Sequence, residues 1–198
     1  KKEVDNMHLL LDPLPKTIEL KGIPHKIDID FKTMLIIEEL IEDESIKEGA
    51  RLARALELLY IDEINPLLLD EAIEGLFWYW SMGSEKEDRG NQPEEKVDTS
   101  PIFSYRYDAP YIYSAFKAQY NIDLIDEDLH WWKFLSLFKG LSEEHELSKI
   151  IGYRSKKITS EMSKEEKKFY REMKQLYKIP DGRTMEEKEA AIGNLFWG

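Results

Sequence analysis

Tyr111-Ile112-Tyr113-Ser114-Ala115-Phe116, Tyr120-Asn121-Ile122-Asp123-Leu124 and Leu129-His130-Trp131-Trp132-Lys133-Phe134-Leu135 follow one another within a single short stretch. So many rings so close together require burial, and their spacing says in what form. Trp131, Phe134, Leu135 and Phe138 fall at i, i+3, i+4 and i+7, which predicts a helix from about Asp126 to Lys139. Leu129, Trp132 and Leu137 add apolar surface on its other sides. A second helix is predicted from Asp108 and Pro110, a residue suited to a first turn, through Tyr120.

Working outward toward the N-terminus, Thr17-Ile18-Glu19-Leu20 and Lys26-Ile27-Asp28-Ile29 alternate polar with apolar around Gly22 and Pro24, which predicts a short β-hairpin. Asp30 is placed to cap a helix through about residue 42, with Ile36, Ile37, Leu40 and Ile41 on its apolar face. Ser45 and Glu48 have the spacing of a capping box, opening a helix with Leu52, Leu56, Leu59 and Tyr60 on one stripe. Asp70 opens a third helix in which Ile73, Leu76, Phe77 and Trp80 share a face and Trp78 points elsewhere; Met82-Gly83 closes it. Toward the C-terminus, helices are predicted from Ser142 to about Tyr153 and, capped by Ser163 with Glu166, to Tyr177 with Phe169, Met173 and Leu176 inward.

The expected fold is therefore mainly α: a small N-terminal β-hairpin and two helical halves joined by an acidic linker. Residues 1–83 form the hairpin and first helices, 84–101 the polar linker or loop, 102–180 the second helical half, and 181–198 a C-terminal extension. The segment 84–101 offers Val97 as its only aliphatic residue and cannot bury enough to order itself. The 181–198 segment ends in Leu195-Phe196-Trp197, an apolar tip.

Composition restricts function. Forty Asp and Glu against 28 Lys and Arg give a net charge of −12, which opposes binding to nucleic acid. With no cysteine there is no disulfide framework, thiolate metal site or cysteine nucleophile. No apolar run approaches the roughly 18 residues of a membrane span. Lys1 to Asn6 is polar, with no apolar stretch after it, and does not read as a signal peptide. Asp126 and His130, four residues apart, are the nearest thing to a metal pair, yet two ligands on one helix face are a common accident. The many paired carboxylates read as solvated surface, and Lys156, Lys157, Lys164, Lys167 and Lys168 as helix-surface partners of neighbouring glutamates. No glycine-rich phosphate loop or nucleophile elbow occurs. No catalytic, cofactor or metal residue is assigned.

Leu10-Leu11-Asp12-Pro13-Leu14-Pro15, Ile29-Asp30-Phe31-Lys32-Thr33, Ala55 to Tyr60, Phe77-Trp78-Tyr79, Tyr107 to Phe116, Leu129 to Phe134, Ile151-Gly152-Tyr153-Arg154 and Met173 to Tyr177 occur in an order that resembles the bacteriophage gene-product-fifteen family, encoded in the tail module of long-tailed phages of Gram-positive hosts. The similarity spans roughly residues 7 to 180; the Trp-Trp and Gly-Tyr-Arg elements are its most specific parts, and residues 181–198 extend beyond it. The resemblance implies a non-enzymatic tail assembly chaperone that coats the tape-measure protein and is displaced as tail tube protein polymerises. It further implies self-association, a location in the host cytoplasm and absence from the mature virion. Surfaces expected to bind partners are Trp78, whichever of Trp131 and Trp132 lies outside the core, and Leu195, Phe196 and Trp197. The rival expectation is an acidic phage protein that mimics DNA or binds a host regulator.

Overall fold

The computed structural model describes residues 9–83 and 102–180. The linker expected at 84–101 and the extension at 181–198 lie outside the described residues. Among the described residues the protein is mainly α, with seven α-helices and one two-stranded antiparallel hairpin. They group into two compact units. One holds the hairpin, the first three helices and residues 116–141; the other holds 102–115 and 142–180. The division thus departs from the order along the chain expected from sequence, because 116–141 groups with the N-terminal elements.

In the first unit, β1 (Thr17–Leu20) pairs with β2 (Ile23–Lys26). The return strand begins three residues earlier than expected. Lys21 and Gly22 both take positive φ, 50° and 79°, the pattern of a two-residue hairpin turn. That register places Pro24 opposite Glu19. In an antiparallel ladder the closing pair exchanges hydrogen bonds and the next pair does not, so the missing N–H of Pro24 costs nothing. Ile18 and Leu20 face the core.

Residues 26–30 then run extended and, with Phe31 N–H, hold two other segments. Asp28 N–H donates to Leu59 O and Ile61 N–H to Lys26 O; Phe31 N–H donates to Leu129 O and Trp131 N–H to Ile29 O. Asp30 caps α1 (Phe31–Glu42), accepting from Lys32 N–H at 3.0 Å. Its buried line is Phe31, Met34 and Ile37, and Ile36 lies exposed. Helix α2 (Glu48–Leu59) has no side-chain cap. The expected capping box fails because Asp43 takes both Ser45 N–H and the Ser45 hydroxyl.

A single 3-10 turn, Pro66–Leu68, capped by Asn65, leads into α3 (Leu69–Trp80). This helix buries Ala72, Gly75, Leu76 and Tyr79 rather than the expected Ile73, Leu76, Phe77 and Trp80 face. Gly75 explains the rotation: a Cβ there would lie 2.5 Å from the Tyr60 hydroxyl and 2.7 Å from Ile18. The small residues mark the contact face, because only they let the hairpin and Tyr60 approach the helix backbone.

Helix α4 (Ala109–Tyr120) contributes its last turn to this unit, and α5 (Trp131–Lys139) completes it. α5 starts about five residues later than expected, since residues 129–131 are drawn into extended pairing with 29–31. Phe134 stacks on Phe31 at 4.8 Å and on Phe116 at 5.2 Å. That aromatic stack and the backbone pairing are why 116–141 groups with the N-terminal elements.

In the second unit, α6 (Glu146–Ser155) buries Leu147 and Ile150, and the first half of α4 buries Ile112 and Ala115. Helix α7 (Lys164–Leu176) opens with a complete capping box between Ser163 and Glu166. None of its residues is buried. Phe169, Met173 and Leu176, expected inward, are instead partly or largely exposed.

Candidate functional site

The tryptophan pair that dominates the sequence is internal. Trp131 is 0% and Trp132 2% exposed, so neither is left outside the core. The cause lies at the end of α3, whose last four carbonyls have no partner within the helix. Ser81 N–H donates to Phe77 O, Gly83 N–H to Trp78 O and Met82 N–H to Tyr79 O, with Met82 in the left-handed conformation at φ 59°. That is a Schellman ending built on a non-glycine residue. The indole N–H groups supply the rest: Trp132 donates to Tyr79 O at 2.7 Å and Trp131 to Trp80 O at 3.2 Å. Each indole thereby satisfies its own buried N–H as well.

Trp78 is partly buried. Its ring meets Trp132 edge to face at 5.4 Å, and its Nε1 is enclosed without a hydrogen-bond partner among the described residues. Gly83 closes over it, a Cβ there lying 3.2 Å from that nitrogen. Leu195, Phe196 and Trp197 lie outside the described residues.

Several polar groups that could support chemistry are held in internal bonds. His130 is the N-cap of α5: its Nδ1 accepts from Trp132 N–H at 3.1 Å, so Nε2 carries the proton and donates to Pro15 O at 2.9 Å. Burial pushes its pKa below the ordinary histidine value; the Pro15 bond opposes this, and Lys133 and Lys16 add to it. Asp126 precedes α5, so it and His130 do not share a helix face. Among the described residues no group of three or more His, Cys, Asp or Glu could hold a metal ion. Glu38 accepts from Trp80 Nε1 at 2.7 Å, and burial raises its pKa.

The second unit is organised by Arg154. Its guanidinium grips Asp108 through both oxygens, at 2.6 and 2.9 Å, and donates through Nε to Tyr177 O at 2.6 Å and through Nη1 to Ile102 O at 3.3 Å. Both side chains are buried. Asp108 also accepts from Ser104 N–H, and Lys174 Nζ donates to Arg154 O. One arginine thus ties the start of α4, α6 and the end of α7, which gives Arg154 of the Gly152-Tyr153-Arg154 element an architectural role. Tyr153 stacks on Tyr177 and meets Phe169 edge to face. Three lysines of the basic stretch are also engaged locally, Lys167 on Ser160 O, Lys168 beside Glu172 and Lys156 over the Tyr170 ring.

Several large apolar side chains are also left open to solvent. Leu10, Leu11, Ile36 and Leu67 stand out of the first unit, and Phe77 lies at the edge of exposure, stacked on Trp80. Phe169 and Leu176 stand out of the second at 45% and 67%. Sequence reasoning missed these, because periodicity marks an apolar stripe without saying whether anything covers it. Among the described residues no helix is long and apolar enough to cross a membrane.

Residues 10–179 match the family model described as Bacteriophage Gp15 protein. No curated protein and no solved structure matches the chain.

Proposed function

The chain belongs to the Bacteriophage Gp15 protein family, and from that premise we propose that it is a non-catalytic tail assembly chaperone that binds and coats the tape-measure protein. The observation that carries this reading is the division of labour among side chains. His130, Asp108, Arg154 and Glu38 are spent on internal bonds, whereas leucines and aromatics stand exposed. A coat for a long helical partner needs apolar anchors that receive i, i+3, i+4 side chains, and it needs them reversible. The net charge of −12 keeps a protein with such a surface soluble. Coating calls for many copies, so self-association belongs to the proposal, as does displacement by tail tube protein. Its place of action is then the host cytoplasm, and it is absent from the mature virion.

The test is co-expression with the tape-measure protein of the same phage. A soluble complex that co-elutes supports the reading, and tape-measure protein that stays insoluble and unbound contradicts it. The charge of −12 also favours a second reading, an acidic mimic of DNA or ligand of a host regulator. Capture of a host DNA-binding protein, lost as salt is raised, would select that one instead.

A further inference from the structure

Two surfaces of opposite charge carry exposed apolar side chains. From Ala55 to Gly83 the chain has no Lys or Arg and six acidic residues. Glu57 pairs with Arg54 and Glu71 with Lys21, whereas Asp62, Glu63, Asp70 and Glu74 are exposed and make no ion pair among the described residues. On the same run of chain stand Ile61, Leu67 and Leu69, of which Leu67 is 82% exposed. The second surface is α7 with its flanks. Residues 156–178 carry eight Lys and Arg against four Glu in a chain whose net charge is −12. Glu166 is spent in the capping box and Glu172 beside Lys168. Glu161 and Glu165 stay exposed, against exposed Lys157, Lys164, Arg171 and Lys178. No residue of α7 is buried, and Phe169 and Leu176 stand out of it.

We propose that these two surfaces dock on one another between copies, α7 of one molecule against residues 61–74 of the next. Charge selects this pairing. Residues 61–74 facing their own equivalent would set Asp62, Glu63, Asp70 and Glu74 against like charges, and α7 facing α7 would oppose its excess cations, a juxtaposition that costs free energy. What remains is contact head to tail, in which each copy uses one surface on each side. Such contacts run on into rings or open filaments rather than stopping at a dimer. Leu67 and Leu69 meet Phe169 and Leu176, so association removes from water the apolar area that each surface leaves exposed. The free carboxylates and the free cations steer the encounter, and salt screens them. This contact specifies the self-association of the proposed function and rests on that reading only for its use. It forms without tape-measure protein, so its failure and the failure of tape-measure binding are read separately.

Sedimentation of the full chain by itself tests this. The mass is expected to rise with protein concentration, and raised salt to weaken the association. Leu67→Asp and Leu176→Asp, both at strongly exposed positions, each lower self-affinity by about tenfold or more, the scale of losing one apolar anchor. Leu69→Asp and Phe169→Asp stand in for either variant that loses its helical signal. Mixing the two variants decides the geometry. Leu67→Asp keeps an intact α7 and Leu176→Asp an intact acidic surface, so the mixture forms a one-to-one dimer that does not grow. A mass that stays monomeric at every concentration overturns the proposal, as does association that only one of the two variants weakens or that salt does not weaken. A mixture that associates no better than either variant alone overturns it too.

Discussion

The indole N–H of Trp132 lies 2.7 Å from the carbonyl oxygen of Tyr79, so a residue of α5 finishes the hydrogen bonding of α3. Trp131 does the same for the next carbonyl, Trp80 O. The adjacent tryptophans are therefore a helix cap made across sequence, and their conservative variants should report on stability. Trp131→Phe leaves Trp80 O without its donor and is expected to cost about 1–3 kcal/mol. Trp132→Phe costs less, because Tyr79 O keeps Met82 N–H. Chemical denaturation of both variants checks the order. Equal losses would deny the capping role.

Arg154 and Asp108 form a buried pair, and removing one partner of such a pair costs about 3–5 kcal/mol. Arg154→Ala is expected to melt the second unit first. Arg154→Lys should recover little, since an ammonium cannot grip both Asp108 oxygens and also reach Tyr177 O and Ile102 O. Hydrogen exchange resolved along the chain checks this, with protection lost in α6 and α7 and retained in α1 to α3.

His130 gives the first unit an acid limb. Burial lowers its folded-state pKa below the unfolded value of 6.5, so the folded form binds fewer protons there than the unfolded form. Its contribution is fully present above pH 6.5 and lost as pH falls through the folded pKa. A proton on Nδ1 also turns the acceptor for Trp132 N–H into a donor and breaks the cap of α5. His130→Asn keeps a capping acceptor without titrating. The stability difference between the parent chain and this variant is expected to shrink or reverse as pH falls below 6.5, and a pH-independent difference would contradict it.

Gly75 sets how closely α3 meets the hairpin. Gly75→Ala places a methyl group against the Tyr60 hydroxyl and Ile18, and Tyr60 is itself held by a bond to Ala72 O. Overpacking of this kind costs about 1–3 kcal/mol, more than the helix propensity gained. A rise in melting temperature would show that the neighbours yield freely.

How much of this was legible beforehand differs element by element. The Asp30 cap, the Ser163–Glu166 box and the Met82-Gly83 stop are local chemistry, and they stand where sequence put them. What sequence missed was set by distant partners. Helix α5 begins at Trp131 rather than Asp126 because residues 29–31 pair with 129–131. The buried face of α3 follows Gly75 and Ala72 because the hairpin must come close, a demand that apolar periodicity does not record. One of Trp131 and Trp132 was expected outside the core, and the orphan carbonyls of α3 absorbed both.

The account's central claim is that this family member works by binding through exposed apolar side chains rather than by chemistry, and Leu176 tests it most directly. Affinity for the tape-measure protein should be measured for the parent chain and for Leu176→Asp and Leu67→Asp, with Trp132→Phe as a core control. The account predicts that one or both surface variants bind at least tenfold more weakly with unchanged melting temperature, while Trp132→Phe melts earlier and binds as before. Surface variants that bind as tightly as the parent chain, or a parent chain that does not bind tape-measure protein, would contradict it.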